Sequence, residues 1–180
     1  MKNILAIILL FFSTSILTAN ERDAQLDKLF NELKRNTSSS SSIVQKIWTL
    51  WSTHPTDEKL TSILDEGSRL VQDQKLAKAI EIFTDAIKID PSWAEAWNKR
   101  ATVYYMIGEF QKSQEDIDKV LELEKRHFGA LAGQGLVNIQ LKNYEKAILS
   151  YKKAQEIYPS MQSPKIMIKQ IENLIKQELI

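Results

Sequence analysis

Residues 128–159 read FGALAGQGLVNIQLKNYEKAILSYKKAQEIYP. Small and large apolar residues recur three and four apart, as in Leu131–Gly135 and Tyr144–Ala147–Tyr151–Ala154, and residues so spaced share one face of a helix. The stretch closes on Pro159, which cannot continue a helix. It predicts two amphipathic helices joined by a short turn. Stepping back 34 residues at a time meets the same residue classes in the same order. Ala147, Ser113 and Ala79 fall in register; so do Tyr151, Ile117 and Phe83, and Ala154, Val120 and Ala86. Gly135, Ala101 and Gly67 align, as do Leu131, Trp97 and Ile63. Tyr104 and Leu70 align as well, with the polar Asn138 as third member, and Lys125 stands midway between Pro91 and Pro159. Agreement at this many positions in three successive units marks a repeat architecture.

In the middle unit the first helix is expected from about Ala94 to Ile107, the turn at Gly108-Glu109, and the second helix from Gln111 to Glu122. Small residues at Ala101 and Ser113 let the helices approach, and Phe110, Ile117 and Val120 fill the space beside them. One such hairpin cannot bury its apolar stripe alone, so neighbours must stack. Lys125 lacks the proline of the other units, yet Arg126-His127-Phe128-Gly129 still interrupts the helical pattern there. Only 5 glycines and 4 prolines occur in 180 residues, and helix formers dominate the remainder, so the chain reads as all-α. Gly129 and Gly133 are not demanded by the repeat, and each costs about 1 kcal/mol relative to alanine inside a helix. Either a neighbouring helix packs tightly at them, or they open space for a partner's backbone.

Trp97, Ala101, Tyr104, Gly108 and Phe110 in the middle unit, with Gly135, Tyr144, Ala147, Tyr151, Ala154 and Pro159 in the next, resemble the tetratricopeptide repeat family. The resemblance covers roughly residues 60–159. It implies a right-handed α-solenoid with repeats at 60–93, 94–127 and 128–161. It also implies a concave face lined by the first helix of each hairpin, which holds an extended peptide or a partner's helix. Carried onto this sequence, the groove positions are Leu64, Ser68 and Val71, then Asn98, Thr102, Tyr105 and Met106, then Ala132, Leu136 and Ile139. Some members grip a peptide's terminal carboxylate with Lys, Arg and Asn at such positions. Here Asn98 alone is of that kind, which argues against a carboxylate clamp and for an apolar contact with an amphipathic helix. Trp48, Trp51, Trp93 and Tyr105 exceed what packing requires; they are core residues or exposed aromatic anchors.

Met1-Lys2-Asn3, the apolar run from Ile4 to Leu17 and the small polar Thr18-Ala19-Asn20 have the layout of an export signal over residues 1–19. The alternative is an uncleaved membrane anchor. The expected location is therefore periplasmic or secreted, or else inner-membrane anchored facing the periplasm, and with the repeat this suggests an exported bacterial protein. Residues 21–55 read as a degenerate N-terminal hairpin: Leu26, Leu29, Phe30 and Leu33 form one stripe, and Ile43, Ile47, Trp48, Leu50 and Trp51 another. Between them Thr37 to Ser42 reads as a serine-rich loop, with Ser41 or Ser42 capping the next helix. Residues 164–180 read as a capping helix with Ile168, Ile171, Leu174 and Ile175 on its apolar face.

Little in the sequence suggests catalysis. There is no cysteine, so thiol nucleophiles, thiolate metal sites and disulfides are excluded. The two histidines, His54 and His127, have no ligand-spaced companions, so no cofactor or metal is expected. His127 is expected to pair with Glu124 or to bind a turn carbonyl. Asp116 and Asp118 are two apart on a helix, do not face each other, and read as a solvated face. A net charge of +1 gives no electrostatic footprint for nucleic acid. The sequence thus points to a non-catalytic adaptor or scaffold for a protein or peptide partner, and the expected role is in the assembly of envelope proteins. A self-associating homo-oligomer and an accessory subunit of an envelope enzyme are the alternatives. Membrane contact is expected only if residues 1–19 stay attached.

Overall fold

The computed structural model describes residues 21–35 and 38–178; the expected export segment lies outside them. All regular structure among these residues is helical. Helix α1 covers 21–34, followed by α2 (Ser40–Ser52), α3 (Glu58–Gln72), α4 (Leu76–Ile89), α5 (Ala94–Met106), α6 (Phe110–Leu123), α7 (Phe128–Gln140), α8 (Tyr144–Ile157) and α9 (Gln162–Glu178). None of these helices is long and apolar enough to cross a membrane. The chain divides into two compact units between Thr61 and Ser62.

In the first unit, Leu26, Leu29, Phe30 and Leu33 of α1 and Ile43, Ile47 and Trp51 of α2 are buried. The Phe30 and Trp51 rings meet at 5.8 Å, and Trp48 stands edge-on to Trp51 at 5.2 Å. The Arg22 guanidinium donates to the Leu50 carbonyl at 2.7 Å, tying the helices together. The serine-rich loop is shorter than the sequence suggested. Ser40, Ser41 and Ser42 already belong to α2, the cap position is Ser39, and its side chain makes no capping bond. Ser42 instead returns its hydroxyl to the Ser39 carbonyl at 3.0 Å. Serines can bond locally in or out of a helix, and burial of Ile43 and Ile47 settles the choice. Trp51 is core, 3% exposed, and no surface anchor. The next helix starts at Glu58, earlier than residue 60, because Asp57 caps it: its carboxylate accepts the Lys59 N–H at 2.8 Å.

The second unit is built of helical hairpins. Within each, the first helix packs flat against the second because one partner is small. A side chain at Gly67 would overlap the Phe83 ring, and one at Gly135 would meet the Tyr151 ring at 2.6 Å. Between α5 and α6 the small pair is Ala101 and Ser113, whose hydroxyl donates to the Ala101 carbonyl at 2.8 Å. Phe83 and Tyr151 are fully buried, each worth roughly 1.5–3 kcal/mol of apolar burial.

The turns repeat as faithfully as the helices. Inside each hairpin the chain reverses through a left-handed residue: Gln74 (φ 59), Gly108 (φ 81) and Lys142 (φ 58). Each is followed by an N–H reaching back five residues, Lys75 to Leu70, Glu109 to Tyr104 and Asn143 to Asn138, at 2.7–2.9 Å. Between hairpins the helix ends at a non-helical cap residue, Asp90, Glu124 or Tyr158, the first two extended. The turn then closes from Trp93 to Asp90, His127 to Glu124 and Met161 to Tyr158. Lys125 does without proline because the Glu124 carboxylate holds the turn, accepting from the Arg126 N–H and guanidinium at 2.9 Å.

Arg100 ties together the first junction between hairpins. Arg100 of α5 donates Nε–H and Nη2–H to the two Asp116 oxygens of α6, each at 2.8 Å, and Nη1–H to Thr84 of α4 at 3.0 Å. Its guanidinium lies over the Trp97 and Tyr104 rings at 5.1 and 5.6 Å. Asp116 is therefore buried at 4% exposure, not part of a solvated face; only Asp118 is exposed. Burial pushes the Asp116 carboxyl up, and the two guanidinium bonds work against that. The bond to Asp116 raises the Arg100 guanidinium further.

The last helix begins at Gln162, two residues before the expected start. Pro164 sits in its first turn, where no intrahelical N–H partner is needed. Ile171 is fully buried, and Met167, Ile168 and Ile175 join it against Ala147 and Tyr151. Leu174, expected on the apolar face, is 40% exposed.

Candidate functional site

The first helices α5 and α7 flank a cavity of about 80 Å³. Its walls are Asn98, Thr102 and Tyr105 from α5 and Gly129, Gly133 and Leu136 from α7; Ser113 and Ile117 of α6 lie among the remaining lining residues. None of the lining side chains is charged. Gly133 explains why the space exists. A side chain there would meet only the Ile117 methyl at 3.6 Å, an ordinary contact, so close packing does not require this glycine. Gly67 and Gly135 are packing glycines, and Gly133 is not.

The cavity polar groups are partly committed. The Asn98 amide donates to Glu95 Oε2 at 3.1 Å, and the Thr102 hydroxyl donates to the Asn98 carbonyl at 2.9 Å. Tyr105 is half-buried, its ring 5.6 Å from Phe110. Beneath Asn98 lies a pair that the sequence reading missed. His127 Nε2 meets Glu95 Oε2 at 3.0 Å, with the two side chains 0% and 1% exposed. His127 Nδ1 accepts the Ala130 N–H at 3.0 Å, which makes Nε2 the protonated nitrogen of a neutral ring. His127 thus caps α7 and meets Glu95 on α5 through its ring, while its backbone N–H bonds the Glu124 carbonyl of the turn. No periodicity connects residues 32 apart at two helix starts, so nothing in the sequence signalled the pair. His54 is likewise a cap, its Nδ1 accepting the Asp57 N–H at 3.0 Å. Among the described residues no cluster of three or more His, Asp or Glu could hold a metal.

The structure brings Asn98, Thr102, Tyr105 and Leu136 together and separates the other expected groove residues from them. Met106 is exposed, outside the cavity wall. Ser68 and Val71 are half-buried on α3, and the Ser68 hydroxyl returns to the Leu64 carbonyl at 2.9 Å. Leu64 is fully buried and cannot present a surface. Ala132 and Ile139 pack into the cluster around Tyr151 and Ile171, so α8 and α9 already occupy their side of α7. The sequence could not show this, because a helix buried on two faces carries apolar residues on both. Trp93, a candidate anchor, is buried at 4% exposure.

The family model for the tetratricopeptide repeat matches residues 64–113 and 107–161. The chain belongs to the tetratricopeptide repeat family. A tetratricopeptide repeat-containing protein of Rhizobium etli is 30% identical over 138 residues, 76% of this chain and 67% of that one. Hsp70-Hsp90 organizing protein 1 of Glycine max is 30% identical over 98 residues, 54% of this chain but only 17% of its own length. Among solved structures, the first tetratricopeptide domain of Spaghetti (RPAP3) bound to the HSP90 peptide SRMEEVD has a TM-score of 0.64 at 19% identity, covering 66% of this chain and 94% of that one. The Sgt2 tetratricopeptide domain from Aspergillus fumigatus has a TM-score of 0.64 at 21% identity, covering 68% and 82%. These likenesses establish an all-α tetratricopeptide solenoid.

Proposed function

We propose that this tetratricopeptide protein is a non-catalytic adaptor that holds an uncharged, partly apolar segment of a protein partner between α5 and α7. The uncharged cavity opened by Gly133 carries the reading. A glycine kept inside a helix without a packing reason forgoes about 1 kcal/mol, and space for a partner's backbone is the compensating use. The Spaghetti neighbour holds a peptide ending in Glu-Glu-Val-Asp. Clamping such an end calls for cations, and the lining of this cavity has none. Asn98, Thr102 and Tyr105 supply hydrogen bonds and an aromatic face, and Leu136 an apolar contact.

Residues 1–19 support a role in envelope protein assembly, in the periplasm or outside the cell, or tethered to the inner membrane if that segment remains. The test is affinity capture from envelope extract with the full chain, beside a Tyr105→Ala/Leu136→Ala variant and a Lys152→Ala control. The partner should be lost from the double variant and kept by the control. Equal recovery on all three would refute the groove. A second reading, self-association, draws on Ile166 and Leu174, which are 55% and 40% exposed on α9. A mass that rises with concentration in sedimentation, and falls with Ile166→Ser/Leu174→Ser, would favour it.

A further inference from the structure

The 34-residue register allows the two junctions between successive hairpins to be compared position by position. At the first, Arg100 fills the space between α4 and α6, stacked on Trp97 and Tyr104 and bonded to Asp116 and Thr84. At the second, Arg100 becomes Gln134, Tyr104 becomes Asn138, Asp116 becomes Ser150 and Thr84 becomes Asp118. Two large side chains have been replaced by short amides. The space they would occupy is an open cavity of about 380 Å³ lined by Gln134, Asn138, Ser150 and Asp118 and also by Lys146 and Lys153.

What remains there is a set of acceptors suited to a guanidinium. The Thr84 hydroxyl that receives Arg100 is replaced by a carboxylate, Asp118. Among the described residues that carboxylate accepts from two side-chain amides, Gln114 at 2.7 Å and Gln134 at a long 3.3 Å. Gln134 Oε1 and the Ser150 hydroxyl, 2.9 Å apart, lie where the Arg100–Asp116 pair lies one repeat earlier. Lys146 and Lys153 line the cavity beside the Asp118 carboxylate, and the ring that lies under both lysine and arginine one repeat earlier is Asn138 here. Lys112, the counterpart of Lys146, sits over the Tyr104 ring at 5.7 Å with the Arg100 guanidinium over the same ring.

We infer that the cavity between α6 and α8 binds an arginine side chain of a partner protein, which takes the place that Arg100 takes one repeat earlier. Asp118 accepts its N–H groups in place of the Gln134 amide, and the Gln134 and Ser150 oxygens accept the remainder. The site is separate from the cavity between α5 and α7, so either can fail without the other.

The test follows the Gln134 and Asn138 side-chain amides of the isotopically labelled full chain by NMR. The probe is the capped pentapeptide Gly-Gly-Arg-Gly-Gly, with a lysine analogue and free L-arginine in parallel. The arginine peptide should give saturable shifts confined to this cavity, and Asp118→Asn should weaken binding about tenfold, the loss expected for a charge-assisted contact. Asp118 is exposed, so that variant keeps the fold. Gln134→Arg/Ser150→Asp, which installs the plug of the first junction, should abolish binding. Shifts that survive Asp118→Asn undiminished, or that lie elsewhere, would overturn the assignment. An equal response to the lysine peptide would overturn the guanidinium preference, and an equal response to free L-arginine the polypeptide source.

Discussion

Gly133 and Gly135 lie two residues apart on α7, and alanine at each should change stability in opposite directions. An alanine methyl at Gly135 would sit 2.6 Å from two atoms of the Tyr151 ring. That ring is rigid and 1% exposed, so it cannot swing away, and overpacking of this kind costs about 1–3 kcal/mol. The better helix propensity of alanine returns about 1 kcal/mol, leaving a net loss of up to about 2 kcal/mol. At Gly133 the methyl meets Ile117 Cδ1 at 3.6 Å, an ordinary contact, so the propensity gain stands nearly alone at about 1 kcal/mol. Urea denaturation followed by far-UV circular dichroism should therefore move the two midpoints in opposite directions. Gly133→Ala should also weaken partner capture, because its methyl enters the cavity between α5 and α7. Destabilisation by Gly133→Ala comparable to that by Gly135→Ala would refute the division into packing and space-making glycines.

Lys142→Gly should stabilise the chain by about 0.5–1 kcal/mol, since φ 58 is disfavoured for a side-chain-bearing residue, and Gly108→Ala should do the reverse; thermal melts compare them. Asp116→Ala should cost about 1.5–3 kcal/mol by removing the charge-assisted bonds of the half-buried Arg100, whereas Arg100→Met/Asp116→Leu should lose less in the same denaturation assay. The buried Tyr151 hydroxyl has no hydrogen-bond partner among the described residues, so Tyr151→Phe should be neutral or stabilising by about 1 kcal/mol in urea. Burial first, and the charge of Tyr105 second, push the Tyr151 phenol above its ordinary value, so the folded state resists its ionisation. Its contribution to stability is complete below the ordinary tyrosine range near pH 10 and is lost as pH rises beyond it. The gap between the melting temperatures of wild type and Tyr151→Phe should be constant below about pH 10 and widen above it, with the wild type falling faster.

The sequence by itself determined the repeat. Register at a fixed step encodes which residues are small, which are large and where each turn falls, and those choices are local enough to be read from one strand of text. Even Lys125 in the proline position left the turn legible, because Glu124 and Arg126 beside it can close the turn themselves. Tertiary structure decided which apolar residues remain available. Leu64, Ala132 and Ile139 have the same character as Leu136, yet they are buried in core or packed against the cluster of α8 and α9, while Leu136 lines the cavity. It also decided the long-range polar pairs. Glu95 with His127 and Arg100 with Asp116 are joined by the packing of separate helices, and no periodicity within one helix announces such partners. Periodicity reports that a side chain faces inward; only the packed neighbours determine whether it meets core, partner or open space.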